Sequence, residues 1–214
     1  MAASIAEALQ ARSAATVGLA GGTTPRSAYE LLAAEPLDWE RVDFYFGDER
    51  CVPPDHPDSN YRMACEALVR PGGPRQQRIH RVRAELDDRE AAAAEYEAVL
   101  PAALDALVLG IGEDGHTASL FPGSPALKEH TRRFLPVIGP KPPPERFSVT
   151  PPVIEAAQRI IMLASGSAKT DAVLRALRGP VDVEHTPSAL ARRGLWLLDP
   201  AAAAKLSDTG EALT

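Results

Sequence analysis

His116 lies two residues after Asp114 in the glycine-flanked run Gly112-Glu113-Asp114-Gly115-His116-Thr117. A neutral imidazole can take a proton from water as that water attacks a carbonyl, and a nearby carboxylate can orient the ring or stabilise the imidazolium that forms. The other histidines, His56, His80, His130 and His185, lie in loop-like or polar surroundings and are expected to face solvent. In Gly21-Gly22-Thr23-Thr24-Pro25 two glycines permit a tight turn and close backbone approach, and Thr24 before Pro25 reads as an N-cap with proline at the first helical position. Unpaired N–H groups at such a helix start attract an anion, although the same run also suits a plain strand-to-helix turn. It is neither a Walker A loop nor GxGxxG.

Ser165-Gly166-Ser167-Ala168-Lys169 opens another helix and carries a lysine in its first turn. A cation there opposes the helix dipole unless a negative ligand lies between them; the alternative is a solvated surface lysine. Asp48-Glu49-Arg50 places three charges at the mouth of the apolar run Phe44-Tyr45-Phe46, and successive side chains on an extended segment point in alternate directions. Either these charges form a structural ion-pair network, or Arg50 meets an anionic oxygen while the carboxylates meet hydroxyls or orient a neighbour. Serine-nucleophile chemistry lacks its GxSxG elbow, so direct attack by water is the simpler chemistry. Cys51, His56, Cys65 and His80 show no zinc-like spacing, and no metal is expected.

Short β-branched or leucine-rich runs at 16–20, 42–46, 106–110, 134–137, 160–164 and 195–198 predict strands. Helical spacing covers 27–33, 60–68, 89–99, 168–177 and 201–206, and about a dozen helical residues precede the first strand. Strands joined by helices pair in parallel, so the fold class is α/β, a mostly parallel sheet with helices on both faces. All four chemistry-bearing loops follow predicted strands, which in a doubly wound sheet brings them to one crevice at the strands' carboxyl ends. The Pro/Arg-rich stretch 70–78 and the proline-rich stretch 139–144 read as surface loops within the pattern.

The 214 residues are 45% hydrophobic and 24% charged, and the helix and strand pattern runs on without a boundary, so a single domain over 1–214 is expected. A formal charge of −6 gives no general attraction to nucleic acid or anionic membrane, and any acidic ligand must meet a local positive cluster. Two cysteines make no disulfide framework and are expected to be reduced. No secretory leader is recognisable and no run approaches a membrane span, so a soluble cytoplasmic protein is expected.

Several of these runs together resemble the glucosamine-6-phosphate isomerase/6-phosphogluconolactonase family, its lactonase branch in particular. The resemblance rests on 21–25, on Phe46-Gly47-Asp48-Glu49-Arg50, on Ser59-Asn60-Tyr61-Arg62-Met63 and above all on 110–123. It continues through Arg146-Phe147-Ser148-Val149-Thr150, 165–169 and Pro187-Ser188-Ala189-Leu190. It implies a Rossmann-like fold shared with glucosamine-6-phosphate deaminases and, more distantly, ribose-5-phosphate isomerases. It implies hydrolysis of a phosphorylated sugar lactone without cofactor or metal; a monomer or small homo-oligomer is expected. By this resemblance His116 is the general base with Asp114 beside it. Arg50, Lys169 and Arg146, with backbone N–H groups around Gly21, Gly22 and Thr23, hold the phosphate, and Asp48, Glu49 and Gly115 belong to the pocket.

The deaminases carry an Asn-Glu-Pro after the histidine, whose glutamate partners it; here that place is Leu120-Phe121-Pro122, which argues against aminosugar chemistry. A sugar-phosphate isomerase or deaminase, and a non-catalytic sugar-phosphate sensor, remain the alternatives.

Overall fold

The computed structural model describes residues 1–206. In chain order the main elements are α1 (Ala2–Ala11), β1 (Ala15–Leu19), α2 (Thr23–Leu32), β2 (Val42–Phe46), β3 (Asp48–Arg50), α3 (Asn60–Leu68) and α4 (Arg89–Val99). There follow β4 (Ala106–Gly110), β5 (Phe134–Ile138), β6 (Glu145–Val149), α5 (Pro151–Ala156), β7 (Arg159–Ala164), α6 (Thr170–Arg178) and β8 (Leu195–Leu198).

Five strands form one parallel sheet in the order β2-β1-β4-β7-β8. The chain winds outward one way from β1 to β2 and the other way from β4 to β8, so strand order reverses between β1 and β4. Adjacent loops diverge there and leave a crevice at the carboxyl ends. The strands alternate faces, as their pleat requires. Ala106, Val108, Ile161 and Leu163 pack with Ile5, Tyr29 and Leu68 from α1, α2 and α3. Leu107, Leu109, Ile160 and Met162 face the opposite way, against Tyr96, Ile154 and Val173 from α4, α5 and α6. Burial on both faces explains why β4 reads as continuous Ala-Leu-Val-Leu rather than alternating with polar residues.

The expected α/β class with helices on both faces is the fold observed, with three corrections. The predicted strand at 134–137 does not join the parallel sheet; it pairs antiparallel with β6, and β6 with β3, in a second sheet of order β3-β6-β5. This small sheet covers one face of the large one, with Phe134 and Phe147 stacked at 5.8 Å. The stretch 201–206 folds as consecutive turns, held by Asp199, whose carboxylate accepts from Ala202 N at 2.7 Å, and not as a helix. The helix expected from Ser27 begins at Thr23, with Gly22 and not Thr24 as its N-cap. Gly22 takes φ +109°, which a side chain would resist, so the glycine starts the helix and Pro25 falls within its first turn. No helix among the described residues is long and apolar enough to cross a membrane.

Candidate active site

A cavity of about 300 Å³ opens at the carboxyl ends of β1, β4 and β7. The loops after those strands bring Gly21, Gly22, Thr23, His116 and Lys169 to it, and β3 and β6 bring Asp48, Arg50 and Arg146. Segments more than a hundred residues apart in sequence thus meet at one strand edge.

The loop after β4 is wound tightly enough to present His116. Gly112 N donates to His116 O at 2.9 Å, and Gly115 N to Gly112 O at 3.0 Å. A Cβ on Gly112 would overlap the His116 ring and the Asp114 carboxylate, so glycine is required there. Asp114 Oδ1 accepts from His116 N at 3.1 Å and stands 2.6 Å from Nδ1. A carboxylate only accepts, so Nδ1 carries the proton and the neutral ring leaves Nε2 as the basic nitrogen. Partial burial pushes the Asp114 carboxyl up, but the His116 backbone N–H and ring outweigh it and hold the group below its usual value. The carboxylate is therefore ionised whenever the imidazole is to receive a proton.

Three cations surround the cavity, and among the described residues none of them has a carboxylate within ion-pair distance. Arg50 donates Nη1 to Asp58 O at 2.7 Å and keeps a buried Nε without a partner. Arg146 is buried; its guanidinium donates to Pro143 O at 3.0 Å, so the proline-rich surface loop orients it. Burial first, and then the like charge of Arg50, lower the Arg146 pKa against the opposing pull of Asp48 and Asp58, so the two guanidiniums stand near one another. Lys169 ends the short 3-10 turn Ser167–Lys169 just before α6. The start of α2 also opens here, and no side chain caps it. Two guanidiniums, an ammonium and an uncapped helix N-terminus around one cavity favour an anion.

Asp48 and Glu49 part company, as alternation along β3 requires. Asp48 lines the cavity and is fixed from two sides, Oδ2 accepting from Ser119 Oγ at 2.8 Å and Oδ1 from Asn60 Nδ2 at 3.3 Å. Glu49 does not line it. Its carboxylate turns inward and accepts from the backbone N–H groups of Arg50, Asn60 and Tyr61 at 2.7–2.8 Å. It also accepts from Ser59 Oγ at 3.3 Å. Burial pushes its pKa up to about 7 against these donors. Gly115 also lies outside the lining; its φ of +94° makes the turn, and its carbonyl accepts from Ser188 N at 2.9 Å.

Asn60 and Ser119 lie within runs that carry the family resemblance, yet nothing in the sequence marks them as partners of Asp48. Their contacts span 12 and 71 residues, beyond any local period. His80 is half-buried and not in open solvent, with Nε2 2.8 Å from Asp43 and its ring stacked on Tyr45. Among the described residues no three histidines, cysteines or carboxylates are grouped to hold a metal ion.

Residues 1–197 match the family model described as glucosamine-6-phosphate isomerases/6-phosphogluconolactonase. The 6-phosphogluconolactonase of Streptomyces coelicolor is 40% identical, the match covering 94% of this chain and 86% of that one. The solved structure of 6-phosphogluconolactonase from Trypanosoma cruzi superposes with a TM-score of 0.80 at 30% identity, covering 96% of this chain and 91% of that one. A monomeric glucosamine-6-phosphate deaminase, 23% identical, shares the fold with a TM-score of 0.80 over 95% of this chain and 92% of its own. The chain therefore belongs to the glucosamine-6-phosphate isomerase/6-phosphogluconolactonase family.

Proposed function

We propose that this protein hydrolyses 6-phospho-D-glucono-1,5-lactone to 6-phospho-D-gluconate, the second step of the oxidative pentose phosphate pathway, with water activated by His116. The observation that carries the reading is the Asp114–His116 pair at 2.6 Å on the rim of a cavity whose Arg50, Arg146 and Lys169 have no carboxylate partner among the described residues. The names of the relatives support it. Arg50, Lys169, Arg146 and the start of α2 hold the 6-phosphate, and that remote binding sets the lactone carbonyl beside the water.

His116 Nε2 takes a proton as the water oxygen bonds to the carbonyl carbon, and Asp114 stabilises the imidazolium. Collapse of the tetrahedral intermediate breaks the bond from that carbon to the ring oxygen. The leaving oxygen takes the proton back from His116, and the product carboxylic acid ionises. The sum consumes one water and no other reactant. Asp48, held by Ser119 and Asn60, presents its remaining lone pairs to sugar hydroxyls. Deaminase chemistry is disfavoured because an aromatic carbon ring, that of Phe121, lies against His116 with centroids 4.7 Å apart.

The test compares freshly generated 6-phosphogluconolactone, unphosphorylated gluconolactone and glucosamine-6-phosphate. The expected result is hydrolysis of the first far above its spontaneous rate, weak action on the second and no ammonia from the third. Equal action on both lactones would refute the phosphate pocket, and ammonia release would replace the reading with a deaminase.

A further inference from the structure

Phe121 touches residues at both ends of the site. Its buried ring lies 4.7 Å from the His116 ring, centroid to centroid, and the Arg146 guanidinium carbon sits over it at 5.6 Å. Gly139 closes the packing from behind, where an added Cβ would come 2.8–2.9 Å from the Phe121 ring and 3.2 Å from Arg146 Nε. The ring lines an apolar groove of about 920 Å³ that runs along β5, as does Asp114, while His116 and Arg146 line the polar cavity. Aromatic, cationic and histidine contacts to one face-limited ring fix orientation more strictly than contacts to a flexible aliphatic chain.

We propose that Phe121 is a positioning residue which sets the separation between the base, His116, and the phosphate-binding Arg146, and so matches the site to the distance between the lactone carbonyl and the phosphate of its substrate. This rests on the proposed roles of His116 and Arg146. Phe121 touches no reacting atom; it acts through the two residues packed on it. A leucine there keeps an apolar filler but cannot hold either partner in one place. Small displacements at a reacting centre have large kinetic effects.

The test is Phe121→Leu, with Gly139→Ala as a second variant that presses on the same ring from behind, each measured for kcat, KM and thermal unfolding. Both are expected to lower kcat and to raise KM for 6-phosphogluconolactone, each by about tenfold. They should also narrow the preference over unphosphorylated gluconolactone. In a His116→Ala background Phe121→Leu should lower kcat no further, and in an Arg146→Ala background it should raise KM no further. Loss of thermal stability with kcat and KM unchanged would overturn the proposal and leave Phe121 a filler. Additive effects in both backgrounds would overturn it as well. If His116→Ala alone leaves the rate unchanged, the assignment of the base fails, and that result is read without reference to Phe121.

Discussion

The His116 imidazole is held from both sides of the peptide chain, by the Asp114 carboxylate at Nδ1 and by the Phe121 ring against its face. The residue that permits this is Gly112, whose missing side chain leaves the space that the ring and the carboxylate occupy. Gly112→Ala is accordingly expected to keep the fold and to lower kcat by about a hundredfold, since the base is displaced from its line of attack. Steady-state kinetics beside a thermal melt checks it, and a variant with kcat near that of the parent would show that the ring is positioned by other means. The chemistry-bearing residues were legible because glycine, carboxylate and histidine lay within six positions. The sequence could not show that Glu49 turns inward while its neighbours Asp48 and Arg50 line the cavity. Alternation along a strand predicts opposite directions but not which one faces a ligand.

Two helix starts beside the cavity are treated in opposite ways. The first N–H groups of α3 are taken by Glu49 and by its N-cap Ser59, which accepts from Arg62 N at 3.2 Å. The start of α2 receives no side-chain cap and opens on the cavity. An anion is thus built into one and left to a ligand at the other. The inward carboxylate makes stability depend on pH. Glu49 titrates near 7 in the folded protein against an ordinary value of 4.5, so the folded state holds a proton that the unfolded chain has released. That contribution is full below the ordinary value and is lost as pH rises toward 7, amounting to about 3 kcal/mol across the window.

Glu49→Gln lacks this loss, so the destabilisation it causes should be smaller near pH 7 than near pH 5, measured by urea unfolding; a penalty that grows with pH would show that the four donors outweigh burial. Of the elements, β2, β4 and β8 stand where the apolar runs predict them, and for β4 the signal is uninterrupted because both of its faces are buried. The second sheet was hidden for the same kind of reason. β3 is three charged residues long, and β6 starts with Glu145 and Arg146 after a run of prolines, so neither carries a hydrophobic period of its own.

On the scale of the whole molecule, a chain of net charge −6 gathers three cations at one cavity. Several arginines elsewhere meet carboxylates, as Arg83 meets Glu95 at 2.9 Å and Arg132 meets Glu90 at 2.7 Å, while Arg50, Arg146 and Lys169 line the cavity. The reversal of strand order between β1 and β4 makes that concentration possible, because it opens the sheet where the anion-binding and base-bearing loops both emerge. Composition could exclude a general affinity for polyanions but not a small phosphorylated ligand, since the distinction lies in which charges remain unpaired after folding.

The role of His116 as the base is the most direct point at which the proposed hydrolysis can be tested. His116→Ala, assayed against fresh 6-phosphogluconolactone with 6-phosphogluconate binding measured in parallel, should lose at least about a hundredfold in kcat while product affinity stays within about twofold. A variant that hydrolyses the lactone at the parent rate would contradict it.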